Sequence, residues 1–344
     1  MDFHLDETQL DLRTLAADLL AKEASQERLE AHERGGAPYD ERLWQALRAA
    51  GLTSVCASEH AGGAGLGPVE MAVVLREAGA RAAPGPLLVT LVSTLAASAY
   101  GSRELQERLS GAAVCAVAIR EPGRGPADPP ATAAERTADG WVLTGRKCGV
   151  AHPEGDVLVT AGEGLFLVHG PPAIPEFAAT GEPVATVTLD RTPAEWVAGP
   201  EAAGGVRRLH TAAVAAQASG VLAGALKLTT EYIRTRRQFG RALAEFQAVT
   251  MQIADVYIAG RALDVAMWSG AWRLAAALPA EEDLAVAGFQ TCEAVRALWT
   301  CQHLHGGLGL DVTYPLHRYF AHAKHLAHQL GGADAQLDLI GALA

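Results

Sequence analysis

The apolar residues of this chain change their spacing twice, and that alternation limits the folds open to it. Over residues 1–110 the spacing is helical: Leu12, Leu15, Ala16 and Leu19 fall at i, i+3, i+4 and i+7. DERLWQALRAAGL (40–52) and the segments 70–80 and 84–100 continue it. Gly51 stands as a C-terminal stop, and Pro84-Gly85-Pro86 parts the last two helices. Residues 111–200 switch to short runs bounded by Gly, Pro and Asp: AAVCAVAI, GWVLTGRKCGV, DVLVTAG, LFLVHG and PVATVTLD. Asp139-Gly140 suits a hairpin turn, and Glu121 to Arg136, rich in Pro, Gly and Ala, reads as a loop. Helix returns over 205–344, now Ala-rich. Val214, Ala218, Val221, Leu222, Ala225 and Tyr232 share one stripe, and 242–278, 284–304 and 315–329 give three further helices. The prediction is an α+β chain: an N-terminal helical domain (1–110), a small antiparallel β domain (111–200) and a C-terminal four-helix bundle (205–344).

Composition narrows the function classes. Net charge is -11, and the densest basic run, Arg234-Thr235-Arg236-Arg237, covers one turn and reads as a solvated helix face. Nucleic-acid binding, which needs a basic surface, is therefore not expected. The five cysteines, Cys56, Cys115, Cys148, Cys292 and Cys301, are scattered without a C-x-x-C pair and read as reduced thiols. The acidic start MDFHLDETQLDL reads as neither signal nor transit peptide. The most apolar stretch, 84–100, is interrupted by Thr and Ser and reads as a buried helix. A cytoplasmic protein without a membrane partner is expected.

Half of the twelve histidines lie between His303 and His328. Neither Cys301/His303/His305 nor His322/His325/His328 has zinc-ligand spacing, so no metal is expected. His317, His322, His325 and His328 read as solvated or interfacial helix positions. The Gly306-Gly307-Leu308-Gly309 run could be a tight inter-helix turn or a place where backbone meets a ligand.

Two segments decide between these. TEYIRTRRQFGRALAEFQAVTMQIADVY (230–257) and HLHGGLGLDVTYPLHRYFAHAK (303–324) closely resemble two signature segments of the acyl-CoA dehydrogenase family, in the family's order. SEHAGGAGLGPVE (58–70) is similar to the family's N-terminal Gly-rich loop, and GWVLTGRKCGV (140–150) to a strand pair of its β domain. The resemblance covers nearly the whole chain. It implies FAD held between the β domain of one subunit and the helical bundle of its neighbour. Arg236 would pair with the neighbour's FAD diphosphate, for which a planar guanidinium is suited. Phe239 would pack on the cofactor and Gln247 would hydrogen-bond it. Gly306, Gly307 and Gly309 would admit it to the backbone. His303 takes the place of a usual Gln contact.

The resemblance also marks departures. The family abstracts the substrate's α-proton with a glutamate at one of two positions. Counting from Lys324 the first holds Leu330, and counting back from Arg236 the second holds His210, followed by Thr211. The nearest acid beyond Leu330 is Asp334. The strand beside the flavin usually reads Trp-Ile-Thr-Asn, whereas Lys147-Cys148 is followed here by Gly149-Val150-Ala151-His152. The family's Thr-Glu-Pro loop is reduced to Arg120-Glu121-Pro122. Residues that would serve a neighbour's FAD are kept, while those that would serve the chain's own flavin and substrate are eroded. This layout resembles the paired short subunits of actinobacterial steroid side-chain β-oxidation. It implies a second dehydrogenase-like subunit carrying the catalytic Glu, an acyl-CoA substrate with a bulky acyl group, and a heterotetramer. The alternatives are a self-sufficient dehydrogenase with His210 as base, and a non-catalytic acyl-CoA-binding scaffold.

Overall fold

The computed structural model describes residues 4–111, 113–126 and 128–344. The chain forms two compact units. One comprises residues up to Gly35, Ala72–Ala83 and Val214–Ala344, the other Gly36–Met71 and Pro84–Ala213.

The second unit holds the sheet. Its helices are α3 (Glu41–Ala49), the start of α4 (Pro68–Ala80), α5 (Leu87–Tyr100), α6 (Arg103–Arg108) and the start of α7 (Pro200–Thr235). Asp40 caps α3, its carboxylate accepting the N–H groups of Arg42 and Leu43. Gly51, past the end of α3, takes the left-handed φ of 75° that such a stop needs. The strands are β1 (Cys115–Ala118), β2 (Ala133–Thr137), β3 (Gly140–Ala151), β4 (Asp156–Ala161), β5 (Gly164–His169), β6 (Ala173–Glu176) and β7 (Val184–Ala198). They order as β1-β4-β5-β7-β3-β2, with β6 also on β7. β1 pairs with β4 in parallel, and the remaining pairs are antiparallel. Phe166, Leu143, Val157 and Val187 fill its core, with Trp141 edge-on to Phe166 at 5.4 Å.

The sheet departs from the expectations in three places. β2 lies partly inside the stretch read as loop; its AAERT sequence is an exposed edge without apolar alternation, fixed in register by the turn from Thr137 to Gly140. β6 went unpredicted because all four residues are exposed, and its Pro175 suits an edge. GWVLTGRKCGV is one long strand rather than a strand pair. Its partner β7 runs on past Asp190 through a bulge that puts Arg191 at φ 46°.

The other unit is helical: α1 (Glu7–Glu23), α2 (Gln26–Gly35), the end of α4, the rest of α7, α8 (Gln247–Ala275), α9 (Glu281–His305), α10 (Leu316–Gln329) and α11 (Ala333–Leu343). On α1 the packed residues are Ala16, Leu20 and Glu23, and Leu15 of the predicted stripe is exposed. Glu23 is buried because it pairs with Arg28. α4 and α7 cross with their backbones in near contact. A Cβ on Gly79 would stand 2.0 Å from the Gln217 carbonyl oxygen, and one on Gly220 1.9 Å from that of Arg76. Arg76 grips Asp264 of α8 at 3.2 and 3.3 Å, and the Ser219 hydroxyl donates to the same carboxylate.

α8 starts at Gln247, later than expected, because a two-stranded hairpin and the 3-10 turn Leu243–Glu245 precede it. α7 ends at Thr235, so Arg236 and Arg237 lie beyond the helix rather than on a helix face. α11, which the periodicity did not show, follows a break where Gly331 and Gly332 take φ of 84° and 88°. His322 is buried and His317 half-buried, the latter donating from Nδ1 to the Tyr314 carbonyl at 2.8 Å, so neither is a solvated position. α7 is long and apolar enough to cross a membrane by composition, but most of that window is buried in the fold.

Candidate functional site

The end of α7 leads into a compact hairpin. The Thr235 hydroxyl donates to the Glu231 and Tyr232 carbonyls, and the Arg236 N–H bonds back to Tyr232 O at 2.8 Å. Strands β8 (Arg237–Gln238) and β9 (Arg241–Ala242) then pair through a two-residue turn, Phe239-Gly240, with φ of 51° and 82°. That is the geometry of a type I′ turn, where the first position favours Asn or Gly. The Leu243 N–H closes the hairpin on Arg236 O at 2.9 Å. The Arg241 guanidinium lies 3.9 Å over the Phe246 ring, and Phe239 stands edge-on to Phe246 at 6.3 Å. Phe239 is 91% exposed. Arg236 and Gln247, the first residue of α8, are exposed too.

The second signature segment starts at the end of α9. Gly306 has φ 60° and ψ -138°, a conformation open only to glycine, and opens the 3-10 turn Gly306–Leu310. Gly309 is buried, and a Cβ there would press to 2.7 Å on the Gln302 carbonyl oxygen. Gly307 differs from both. It has no positive φ, and among the described residues no atom lies within 4 Å of where its Cβ would stand. The chain's own fold thus demands glycine at 306, for its backbone angles, and at 309, for space, but not at 307. His303 is exposed.

Tyr232 and His305 join the two segments at their roots. Their rings stack at 4.3 Å with 20° between planes, and the Tyr232 hydroxyl donates to the His305 carbonyl at 3.4 Å. Tyr314 flanks His305 on another side, 5.2 Å away. The His305 Nδ1–H donates to Cys301 O at 2.8 Å, leaving Nε2 as acceptor for the Tyr314 hydroxyl at 3.2 Å. Burial pulls the imidazole below its ordinary pKa, against the Cys301 bond that raises it, so the neutral Nδ1–H tautomer fits every contact. Sequence reasoning placed Tyr232 on a packed stripe and missed this role; its position four residues before Arg236 was the available signal.

Hairpin and turn together offer a guanidinium, an exposed aromatic ring, a carboxamide and unhindered backbone. Such a set can hold a ligand with phosphates and a flat ring system. The positions expected for a base lie elsewhere. Leu330, at the end of α10, is buried, and its carbonyl accepts Gln336 Nε2 at 2.7 Å. Asp334 is exposed in the first turn of α11. His210 is half-buried on α7, one turn after Arg207, which donates to the carbonyls of Pro126 and Asp128 at 3.3 and 2.9 Å.

In the sheet, Lys147 is wholly buried. Its ammonium donates to Glu121 at 2.7 Å, Thr160 Oγ1 at 3.1 Å and Ile119 O at 3.3 Å. Glu121 also accepts from the Thr132 hydroxyl and from the N–H groups of Thr132 and Ala131. Burial alone would raise this carboxyl; Lys147 and the other donors outweigh it and hold it at about 2. Burial lowers the Lys147 ammonium, which has only as many acceptors as protons. Beside this pair, Gly149 has φ 63°, and the Arg120 guanidinium stands 3.3 Å from where its Cβ would be. Among the described residues no group of three or more His, Cys, Asp or Glu side chains is placed to hold a metal.

The model of the acyl-CoA dehydrogenase N-terminal domain matches residues 6–114, and that of the acyl-CoA dehydrogenase C-terminal domain matches 208–343. Acyl-CoA dehydrogenase FadE28 of Mycobacterium tuberculosis is 39% identical over 319 residues, covering 87% of this chain and 91% of its own. The Tcur3481–Tcur3483 steroid ACAD variant superposes with a TM-score of 0.92 at 37% identity, covering 98% of this chain and 97% of the other. The ChsE4–ChsE5 complex of Mycobacterium tuberculosis gives 0.92 at 34% identity, covering 99% and 98%.

Proposed function

The chain belongs to the acyl-CoA dehydrogenase family, and we propose that it is one subunit of a cytoplasmic, heteromeric, FAD-dependent member that introduces the α,β double bond into an acyl-CoA thioester. In this reading residues 1–110, 111–200 and 205–344 are its helical, β and bundle domains, and the bundle serves FAD across the subunit interface. FAD, when bound, supplies the sink for the hydride leaving the β-carbon. This chain's part would be to hold it: Arg236 would pair with the diphosphate, Phe239 would pack on a ring face, Gln247 and His303 would hydrogen-bond it, and Gly306, Gly307 and Gly309 would admit it to the backbone.

The observation that carries this is Phe239. A large aromatic residue held at φ 51° and left 91% exposed gains little within its own chain beyond an edge contact with Phe246, and such strain is a mark of functional positions. Gly307, free of any internal demand for glycine, supports the same surface.

The chain's own strand fits a flavin poorly. Arg120 fills the space beside Gly149, and Leu330 and His210 stand where the family has its glutamate. The proton-abstracting Glu is therefore assigned to the second subunit. The Tcur3481–Tcur3483 steroid ACAD and the ChsE4–ChsE5 complex each pair two proteins, which supports a paired assembly, and the former supports a steroid-type acyl-CoA as substrate.

The test is co-expression with a second dehydrogenase-like chain that carries the catalytic Glu. The pair should purify yellow and oxidise acyl-CoA, this chain alone should be colourless, and His210→Ala should leave turnover of the pair intact. A yellow assembly of this chain alone that turns over substrate would overturn the proposal.

A further inference from the structure

The segment that leads into α10 is gripped by α2, and the same segment holds the root of the Gly306 turn. α2 is almost wholly polar, with Leu29 as its one buried residue, so its place against that segment depends on polar contacts. Two of them come from residues seven apart, on one face of the helix and roughly 10 Å from each other. Gln26 Nε2 donates to the Thr313 carbonyl at 3.4 Å. The Glu33 carboxylate accepts from Nε and Nη2 of Arg318 at 2.6 and 2.8 Å, with His317 Nε2 at 3.8 Å. Tyr314 sits between these two grips. Its carbonyl accepts the His317 Nδ1–H at 2.8 Å, and its hydroxyl donates to His305 Nε2 at 3.2 Å. His305 in turn is stacked on Tyr232.

The Glu33 grip is costly to lose. Arg318 is 5% exposed, and its Nη1 is buried with no hydrogen-bond partner among the described residues. Burial alone would raise the Glu33 carboxyl; the Arg318 bonds and charge, with His317 and His32, outweigh it and hold the group below its ordinary range. A buried ion pair that loses one partner leaves the other charge uncompensated.

We propose that α2 clamps the cofactor-holding turn, with Glu33 as a positioning residue that acts through Tyr314 and His305. What the turn holds rests on the flavin reading above; the clamp itself does not. Glu33 touches no ligand in this scheme. It keeps the start of α10 fixed, so that the Tyr314 hydroxyl stays on Nε2 and His305 keeps the stack that joins the Gly306 turn to the Phe239 hairpin. A contiguous chain of contacts lets a remote residue change affinity by biasing the arrangement of the groups that bind.

Three measurements on the full co-purified complex test this. Glu33→Gln should weaken FAD about fivefold in a fluorescence titration, and Glu33→Asp, which keeps the charge, should restore most of that. Glu27→Gln, at an exposed position of the same helix, should change nothing. In a Tyr314→Phe background Glu33→Gln should add little, because the relay is already cut; a loss of stability alone would add in full. Amide hydrogen exchange over residues 303–313 should quicken in Glu33→Gln and not in Glu27→Gln. Gln26→Ala, which releases the other grip without stranding a charge, should quicken the same exchange. Unchanged exchange, unchanged FAD affinity beside faster exchange, or full additivity with Tyr314→Phe would each overturn the proposal. A colourless complex whose exchange still quickens would count against the flavin reading and leave the clamp standing.

Discussion

The imidazole of His305 lies stacked on the phenol ring of Tyr232, 4.3 Å between centroids, and so ties the root of the Gly306 turn to the root of the Phe239 hairpin. Each segment is locally ordered, but the stack and the 3.4 Å bond from the Tyr232 hydroxyl to the His305 carbonyl set their relation. Tyr232→Leu should lower stability by about 1 kcal/mol, the worth of an aromatic pair beyond its burial, and should weaken flavin retention in the complex more than stability alone explains. Tyr232→Phe keeps the ring and should change either little. Urea unfolding and flavin content per chain separate the two.

His305 also predicts a pH dependence. Burial puts its folded pKa below the ordinary 6.5. The unfolded chain then binds the extra proton first, so the neutral ring's stability is full above 6.5 and lost as pH falls below it. Wild-type protein should lose melting temperature on acidification through this range. His305→Phe should flatten the slope while keeping the stack. An equal slope in the variant would assign the effect to other histidines.

Glycines along α7 should respond in opposite ways. At Gly220 a Cβ would stand 1.9 Å from a backbone oxygen of α4, which cannot yield without moving the helix. Gly220→Ala should destabilise by about 3 kcal/mol. Gly204 meets only the flexible end of Arg208 at 3.5 Å, so Gly204→Ala should stabilise by about 0.5–1 kcal/mol through helix propensity. Thermal unfolding of the two variants against wild type decides it.

These glycines show where sequence reading stops. The order of helical and strand regions was legible because burial imposes period 3.6 or 2 on the apolar residues. Elements without a buried face left no such trace: β2 and β6 are exposed edges, and the α11 segment follows a glycine break. The Arg236, Phe239 and Gly306–Gly309 segments were legible as motifs, yet they lie far apart in sequence. Their joining through Tyr232 and His305 depends on how α7 and α9 pack, which no local spacing encodes. The reason for each glycine was hidden as well, since strain at 306, crowding at 309 and open space at 307 are properties of three dimensions.

The Glu121–Lys147 pair should behave as a buried ion pair with an over-supplied acid. Removing one partner, in Glu121→Gln or Lys147→Met, should cost about 3–5 kcal/mol. The double replacement Glu121→Leu/Lys147→Met should recover much of that. The folded carboxyl sits at about 2 against an ordinary 4.5. Its contribution is present above 4.5 and lost as pH falls toward 2. Unfolding followed from neutral pH into that window should show this loss in wild type and not in the double variant.

Phe239 separates stability from function. Its backbone occupies the left-handed region at a cost of roughly 1–2 kcal/mol for a side-chain-bearing residue, and its ring is almost wholly exposed. Phe239→Gly relieves that strain, though it loses the edge contact with Phe246 at 6.3 Å. The isolated chain should be as stable as wild type or up to about 1 kcal/mol more so. The complex should hold FAD roughly tenfold less tightly, the equivalent of about 1.4 kcal/mol. Arg236→Ala should cost roughly 10- to 100-fold, as expected for losing a charge-assisted bond, with Arg236→Lys recovering part because a point charge replaces a fork. Flavin fluorescence titration of the complex and chemical denaturation of the chain measure the two sides. A Phe239→Gly variant that is less stable and equally tight for FAD would mean that the ring serves the fold rather than the cofactor.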